Sequence, residues 1–274
     1  MARGDLRVVE TSRKKESQSV GHFIKTETRD RILLVTLDRP EVRNSLHAPA
    51  CHELAAVWDA FLADEDLWLA IVTGSGEKAF CAGHDLVDDF FDPMPTSGWA
   101  GLSHRSDFTK PLIAAVNGLA LGGGWEIALN ADIVISDPRA KFGLPEPRVG
   151  FAALGGGARM LPKRMPYHLA MGLMMTGDTI SASDAMKWGL VNAVSTEGGV
   201  MDTAFEWASR VLDCAPLAVR ATKQIARLSM ESEISLDSIQ SLEQQLADVL
   251  AGSEDTAEGL SAFSEKRLPA WTGR

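Results

Sequence analysis

No stretch of this 274-residue chain stays apolar for long enough to cross a bilayer, and cysteine is scarce. Cys51, Cys81 and Cys214 are odd in number and widely spaced, with no Cys-x-x-Cys pair. Neither a disulfide framework nor a zinc site is indicated, and a reducing, cytoplasmic compartment fits. His47, Cys51 and His52 could crowd one helix turn as metal ligands, but no second ligand cluster accompanies them. They read as helix-start and surface residues, so no metal is expected. Basic charge is also in deficit: 27 Lys and Arg against 37 Asp and Glu leave a net charge of −10. That argues against general nucleic-acid binding and leaves anionic ligands to local basic groups and helix N-termini. Residues 1–20 are charged and polar without the apolar core of a secretory leader, and a disordered N-terminal extension is expected there.

Glycine is what the chain concentrates. Leu112 to Val116 reads as a buried strand stopped by Asn117-Gly118, and Gly122, Gly123 and Gly124 then lead into the helical start Trp125-Glu126-Ile127. A dinucleotide fingerprint would need a glycine where Ile127 stands, and a phosphate loop would need Lys-Ser/Thr where Trp125-Glu126 stand. Both nucleotide readings fail. Without Cβ atoms, a ligand can approach the unpaired N–H groups of a helix start, where the dipole favours negative charge. Glu126 follows on the same turn, which suggests an anion-stabilising backbone site with an acid or base beside it. Close helix–strand packing is an equal alternative for the glycines.

Along the chain, His22–Thr28 alternates weakly, and Arg31–Leu37, Leu67–Thr73 and Asp132–Ser136 read as strands. Leu46–Leu62 fits an amphipathic helix. The esterase elbow is absent from Gly74-Ser75-Gly76, because the serine has a glycine directly on each side. Phe80–Leu86 reads as a loop bent at Gly83, residues 88–108 as an irregular excursion forming a lid or pocket wall, and Lys141–Arg148 as a loop with prolines bracketing Glu146. A further glycine cluster spans Gly155 to Gly157. From Tyr167 onward the pattern is helical, over 167–175, 181–188, 199–213, 216–230, 234–250 and 254–266. These helices are too many to cover one core, which points to contacts with other subunits.

Four stretches together resemble the crotonase, or enoyl-CoA hydratase/isomerase, family: Leu37-Asp-Arg-Pro-Glu-Val-Arg-Asn-Ser-Leu46, Ala79-Phe-Cys-Ala-Gly-His-Asp-Leu86, Lys110 through Glu126, and Lys141-Phe-Gly-Leu-Pro-Glu146. Leu173–Asp178, Trp188–Asn192 and Glu258–Arg267 continue the match, which spans residues 22–274. The Trp188-Gly-Leu-Val-Asn and terminal Trp-x-Gly-Arg features are similar to carnitinyl-CoA dehydratase-like members. The resemblance implies an α/β fold: a crotonase-type spiral of ββα turns over residues 21–198 holding an acyl-CoA site, then a C-terminal helical trimerisation region over 199–274. It also implies a homotrimer or dimer of trimers.

What the resemblance implies chemically is an acyl-CoA thioester held by two backbone oxyanion donors, His84 N–H and Gly123 N–H. The His84 ring is then a bystander or a piece of pocket wall. Adding water across a conjugated thioester develops enolate charge on its oxygen, and two aimed N–H groups contribute about 3–4 kcal/mol each. Glu126 and Glu146 match the two glutamates of family hydratases, Glu126 holding and deprotonating water while Glu146 delivers a proton to the α-carbon. Arg43, Ser45, Ala82, Asp85, Leu86, Gly122, Phe263 and Lys266 are the expected substrate or CoA contacts. The expected reaction is reversible hydration of a 2-enoyl-CoA to a 3-hydroxyacyl-CoA, without a cofactor beyond the coenzyme A of the substrate. An isomerase, a specialised acyl-CoA dehydratase, and a non-catalytic binding or scaffold protein are the alternatives. Two departures stand out. Ala152-Ala153-Leu154-Gly155 replaces the Pro-Gly pair usual in hydratases, which leaves the acyl group open, and Trp125 is bulky for its place.

Overall fold

The computed structural model describes residues 22–86, 92–230 and 235–274. The expected extension over 1–20 lies outside these residues, as does part of the 88–108 excursion. Two sheets organise the chain. In the first, β1 (Ile24–Arg29) and β2 (Ile32–Leu37) form an antiparallel hairpin turning through Asp30 at φ 52°. Parallel to β2 run β3 (Leu69–Gly74), β5 (Leu112–Val116) and β7 (Ile133–Ser136), with β10 (Ala193–Val194) at the far edge. The second sheet runs β4 (Ala79–Cys81), β6 (Leu119–Leu121), β8 (Lys141–Gly143) and the antiparallel β9 (Thr179–Ser181).

Each circuit leaves the first sheet by β3, β5 or β7 and adds β4, β6 or β8 to the second, which makes the expected spiral. The Phe80–Leu86 and Lys141–Arg148 segments are therefore not wholly loops. Their opening residues pair as strands of three, too short to display the alternation by which a strand is recognised.

Both faces of the first sheet are covered, which explains its nearly unbroken apolar strands. Leu33, Val35, Ala70, Val72, Ala114 and Val134 face an inner core shared with α1 (Ala48–Ala63) and α2 (Gly123–Asn130). Their neighbours Ile32, Leu69, Ile71, Ile113 and Ile135 face the other way. There they meet Val200, Ala204 and Ala208, spaced four apart along α6 (Val200–Leu212). Between these come α3 (Gly157–Arg164), α4 (Tyr167–Thr176) and α5 (Ala182–Lys187). The segment after Tyr167 is thus not purely helical, since β9 and β10 interrupt it to complete one edge of each sheet.

Two buried lysines tie α7 (Pro216–Ser229) to this core. Lys223 Nζ donates to Asp132 Oδ2 at 2.6 Å and to the Lys110 carbonyl at 2.6 Å, and burial pushes its ammonium down to about 8. Lys110 Nζ in turn donates to the carbonyls of Phe61 and Asp64, each at 2.6 Å. Lys223→Ala is expected to cost about 2 kcal/mol in urea unfolding, because the buried Lys110 carbonyl and the Asp132 carboxylate both lose a charged donor. A loss below about 1 kcal/mol would show that apolar packing alone docks α7. By contrast α8 (Leu236–Ala251) buries none of its residues, and α9 (Glu254–Glu265) buries only Asp255 and Ala262. No helix among the described residues is long and apolar enough to cross a membrane.

Candidate active site

The site begins at the junction of β6 and α2, where each of the three glycines is required by a different neighbour. Gly122 adopts φ 53°, and a Cβ there would lie 2.9 Å from Glu146 Oε1. A Cβ on Gly123 would sit 2.3 Å from the Trp99 ring, and one on Gly124 2.0 Å from the Cys81 carbonyl oxygen. Packing therefore accounts for Gly123 and Gly124, alongside the exposure of backbone donors. Gly123 opens α2, so its N–H has no acceptor within the helix.

Opposite lies the Ala82–Asp85 bend. Gly83 has φ 100° and approaches so closely that a Cβ would be 3.3 Å from the Gly123 nitrogen. The bend is clamped from behind: Ala82 N–H donates to the Arg43 carbonyl, Leu46 N–H to Gly83, and Asp85 N–H to Leu46, at 2.8–3.0 Å. Leu46 and His84 thus form a parallel bridge, in which the His84 peptide groups point away from Leu46. The His84 ring lies 5.2 Å from the Trp99 ring, as a wall of the cleft.

These parts surround one cleft of about 720 Å³. Its lining brings together Ala82, His84, Leu86, Gly122, Gly123, Glu126 and Glu146. Glu126 is 3 % exposed, and its Oε1 accepts the Gly157 N–H at 2.8 Å. Burial raises its carboxyl to about 7, against the opposing hydrogen bonds from Gly157 and Gly155 and with help from the Glu146 charge. Glu146 begins a short 3-10 turn, Glu146–Val149, and burial raises its carboxyl too. Its Oε2 is buried with no hydrogen-bond partner among the described residues, an acceptor aimed at whatever fills the cleft.

Other expected contacts lie elsewhere. Ser45 is buried and donates to the Val42 carbonyl, while Asp85 pairs with Arg39 at 3.0 Å. Arg43, at φ 56°, is exposed; all three belong to the clamp behind the bend rather than to the cleft lining. Phe263 is 88 % exposed, and Lys266 caps α9; neither lines the cleft of its own chain. Trp125 is a core residue, 2 % exposed, with its ring 5.9 Å from Phe142. Cys51 is buried while the His52 ring nitrogen meets the Pro93 carbonyl, so those two side chains diverge.

The described part of the excursion, residues 92–108, supplies cleft wall: Met94, Pro95, Trp99 and His104 line it. Trp99 is the main residue that reading by motif misses. Arg148 also lines the cleft, held by Asp178 at 2.5 Å and by the Thr176 carbonyl.

A two-sheet spiral that turns a helix N-terminus, a glycine bend, one buried carboxylate and one half-buried carboxylate into one cleft defines an enzyme of the crotonase fold. The sequence model of the enoyl-CoA hydratase/isomerase family matches residues 27–274. The chain belongs to that family. It is 41 % identical over 256 residues to the carnitinyl-CoA dehydratase of Proteus mirabilis, covering 90 % of this chain and 97 % of that one. It is equally identical over 250 residues to the carnitinyl-CoA dehydratase of Escherichia coli O157:H7, covering 89 % and 95 %. Among solved structures, an enoyl-CoA hydratase from Mycobacterium tuberculosis superposes with a TM-score of 0.86 at 40 % identity, covering 92 % and 99 %. One from Bacillus anthracis superposes with a TM-score of 0.84 at 30 % identity, covering 92 % and 100 %.

Proposed function

We propose that the enzyme hydrates a 2-enoyl-CoA to a 3-hydroxyacyl-CoA, reversibly, with His84 and Gly123 N–H groups binding the thioester oxygen and Glu126 and Glu146 handling water and proton. The observation that carries this reading is the convergence of two carboxyls with raised pKa values on the cleft beside the start of α2. Water attacks the β-carbon as Glu126 takes its proton, and Glu146 gives a proton to the α-carbon as the enolate collapses. The thioester enolate is the charged species, and the backbone donors lower its energy without reorganising. Hydration changes no oxidation state, so no cofactor is needed beyond the coenzyme A carried by the substrate.

A dehydratase acting on a cationic acyl group is the second reading. Asp92 and the aromatic rings of Trp99 and Phe151 line the same cleft, and such groups attract a quaternary ammonium. Crotonyl-CoA and its γ-trimethylammonium analogue separate the two by loss of the conjugated-thioester absorbance on hydration. A preference for crotonyl-CoA is expected; turnover of the cationic analogue alone would transfer the assignment to the second reading.

The assembly proposed is a homotrimer or dimer of trimers, formed through the 199–274 helices. From Leu236 to Glu265, α8 and α9 carry seven acidic residues and no lysine or arginine. A groove of about 600 Å³ between α3 and α7 is lined by Arg159, Lys163, Arg164, Lys223 and Arg227. That charge complementarity, and the unburied face of α8, support association of copies. Phe263 and Lys266 would then hold coenzyme A bound to a neighbouring subunit. Light scattering distinguishes monomer, trimer and hexamer.

A further inference from the structure

The cleft wall holds a buried polar group, the Trp99 indole N–H, to which the proposed chemistry assigns no role. Trp99 starts a 3-10 turn, Trp99–Gly101, whose backbone is wound through positive φ values at Gly98 (78°), Ala100 (53°) and Gly101 (67°). Such a run is tolerated only where its surroundings hold it. They do so here: Trp58 on α1 donates its indole N–H to the Ala100 carbonyl at 3.0 Å, and Trp99 N–H donates to Ser103 Oγ at 2.9 Å. A Cβ on Gly101 would meet the Ala55 backbone at 2.6 Å, so the turn lies directly against α1.

Held this way, Trp99 reaches three parts of the site. Its indole N–H donates to the Gly123 carbonyl at 2.8 Å, a buried hydrogen bond between segments 24 residues apart. Its ring fills the space over the Gly123 Cα, and its centroid lies 5.2 Å from that of the His84 ring. Its Cβ would be 3.0 Å from a Cβ on Gly155, whose backbone N–H serves Glu126. A rigid, planar indole makes all of these contacts at once in this pose.

We infer that Trp99 is a positioning residue for the oxyanion site, its N–H fixing the first turn of α2 so that Gly123 N–H is aimed at the same point as His84 N–H. The bond orients the first peptide of the helix, and the ring sets the spacing between helix start and glycine bend. Misplacing one donor by a fraction of an ångström weakens a contact whose value depends on direction. This rests on the hydratase reading proposed above, and the experiment separates the two.

The test uses hexadienoyl-CoA, a conjugated 2-enoyl-CoA whose absorbance shifts to the red when its thioester oxygen is polarised. The wild-type enzyme is expected to shift it. Trp99→Phe, which removes the N–H and part of the ring, is expected to lose most of that shift. Its kcat on crotonyl-CoA should fall on the order of tenfold to a hundredfold, with KM changed less than about threefold. A benzothienyl side chain at position 99 keeps the indole shape and lacks only the N–H, so it carries the test if Trp99→Phe folds poorly. An unshifted spectrum in the wild type would overturn the oxyanion reading itself. A wild-type shift that either folded variant reproduces in full would overturn the role of Trp99 alone.

Discussion

Glu126→Gln is expected to lower turnover of crotonyl-CoA by at least about a hundredfold, and Glu146→Gln by as much, with coenzyme A thioester binding retained. Glutamine keeps the size of each side chain and removes only its capacity to exchange a proton. In hydration Glu126 must be ionised to accept a proton from water, and its carboxyl is raised to about 7. One limb of the rate's pH profile should therefore lie near that value. Glu146 must be protonated to serve the α-carbon, and burial raises its carboxyl too, so the rate should pass through a maximum and fall on both sides of it. The two carboxyls are coupled, and the resulting bell reports the pair. Wild-type turnover in both variants would eliminate the two-carboxylate mechanism.

The same burial has a consequence for stability with a definite sign. A carboxyl raised from an ordinary 4.5 to about 7 favours the folded state while protonated, and that contribution is lost as pH rises through this window. Its full size is on the order of 3 kcal/mol. The unfolding midpoint of Glu126→Gln, measured relative to wild type, should accordingly climb between pH 4.5 and pH 7. A difference flat in pH would place the Glu126 titration outside that range.

Gly124→Ala is expected to be the most damaging substitution in the core. The new methyl would lie 2.0 Å from the Cys81 carbonyl oxygen and 2.7 Å from its carbon. Both atoms belong to β4, so no side-chain rotation relieves the overlap; α2 or the strand itself must move. A loss of about 3 kcal/mol or more, or failure to fold, should follow in urea titrations. Gly172→Ala provides the contrast. It lies inside α4, where a Cβ would meet nothing within 4 Å, and should stabilise by about 0.5–1 kcal/mol. If Gly124→Ala were as well tolerated as Gly172→Ala, packing of α2 on β4 would not be what requires that glycine.

Much of the architecture is legible in local pattern. The central strands of the first sheet are four to six residues long and mostly apolar, and α1 repeats its buried positions every three or four residues, so both declare themselves. The second sheet does not, because its three-residue strands carry no period. Asp85 and Ser45 illustrate a different limit. They sit in family motifs, and motif membership does not distinguish a residue that touches substrate from one that braces the loop that does. Only the Arg39 pair and the Val42 hydrogen bond reveal them as part of the clamp.

Trp99 marks that limit most clearly, since nothing around it in sequence signals a role and its partners come from α1, the glycine bend and α2. By itself the sequence determined the family and the period of the main elements, because these are written in residue type and spacing, and the family resemblance singled out Glu126 and Glu146. The tertiary structure decided which glycines are held by packing, that burial raises each carboxyl, and that Trp125 fills the core while Trp99 faces the site. Those depend on distances between segments remote along the chain, and on burial, which no local pattern encodes.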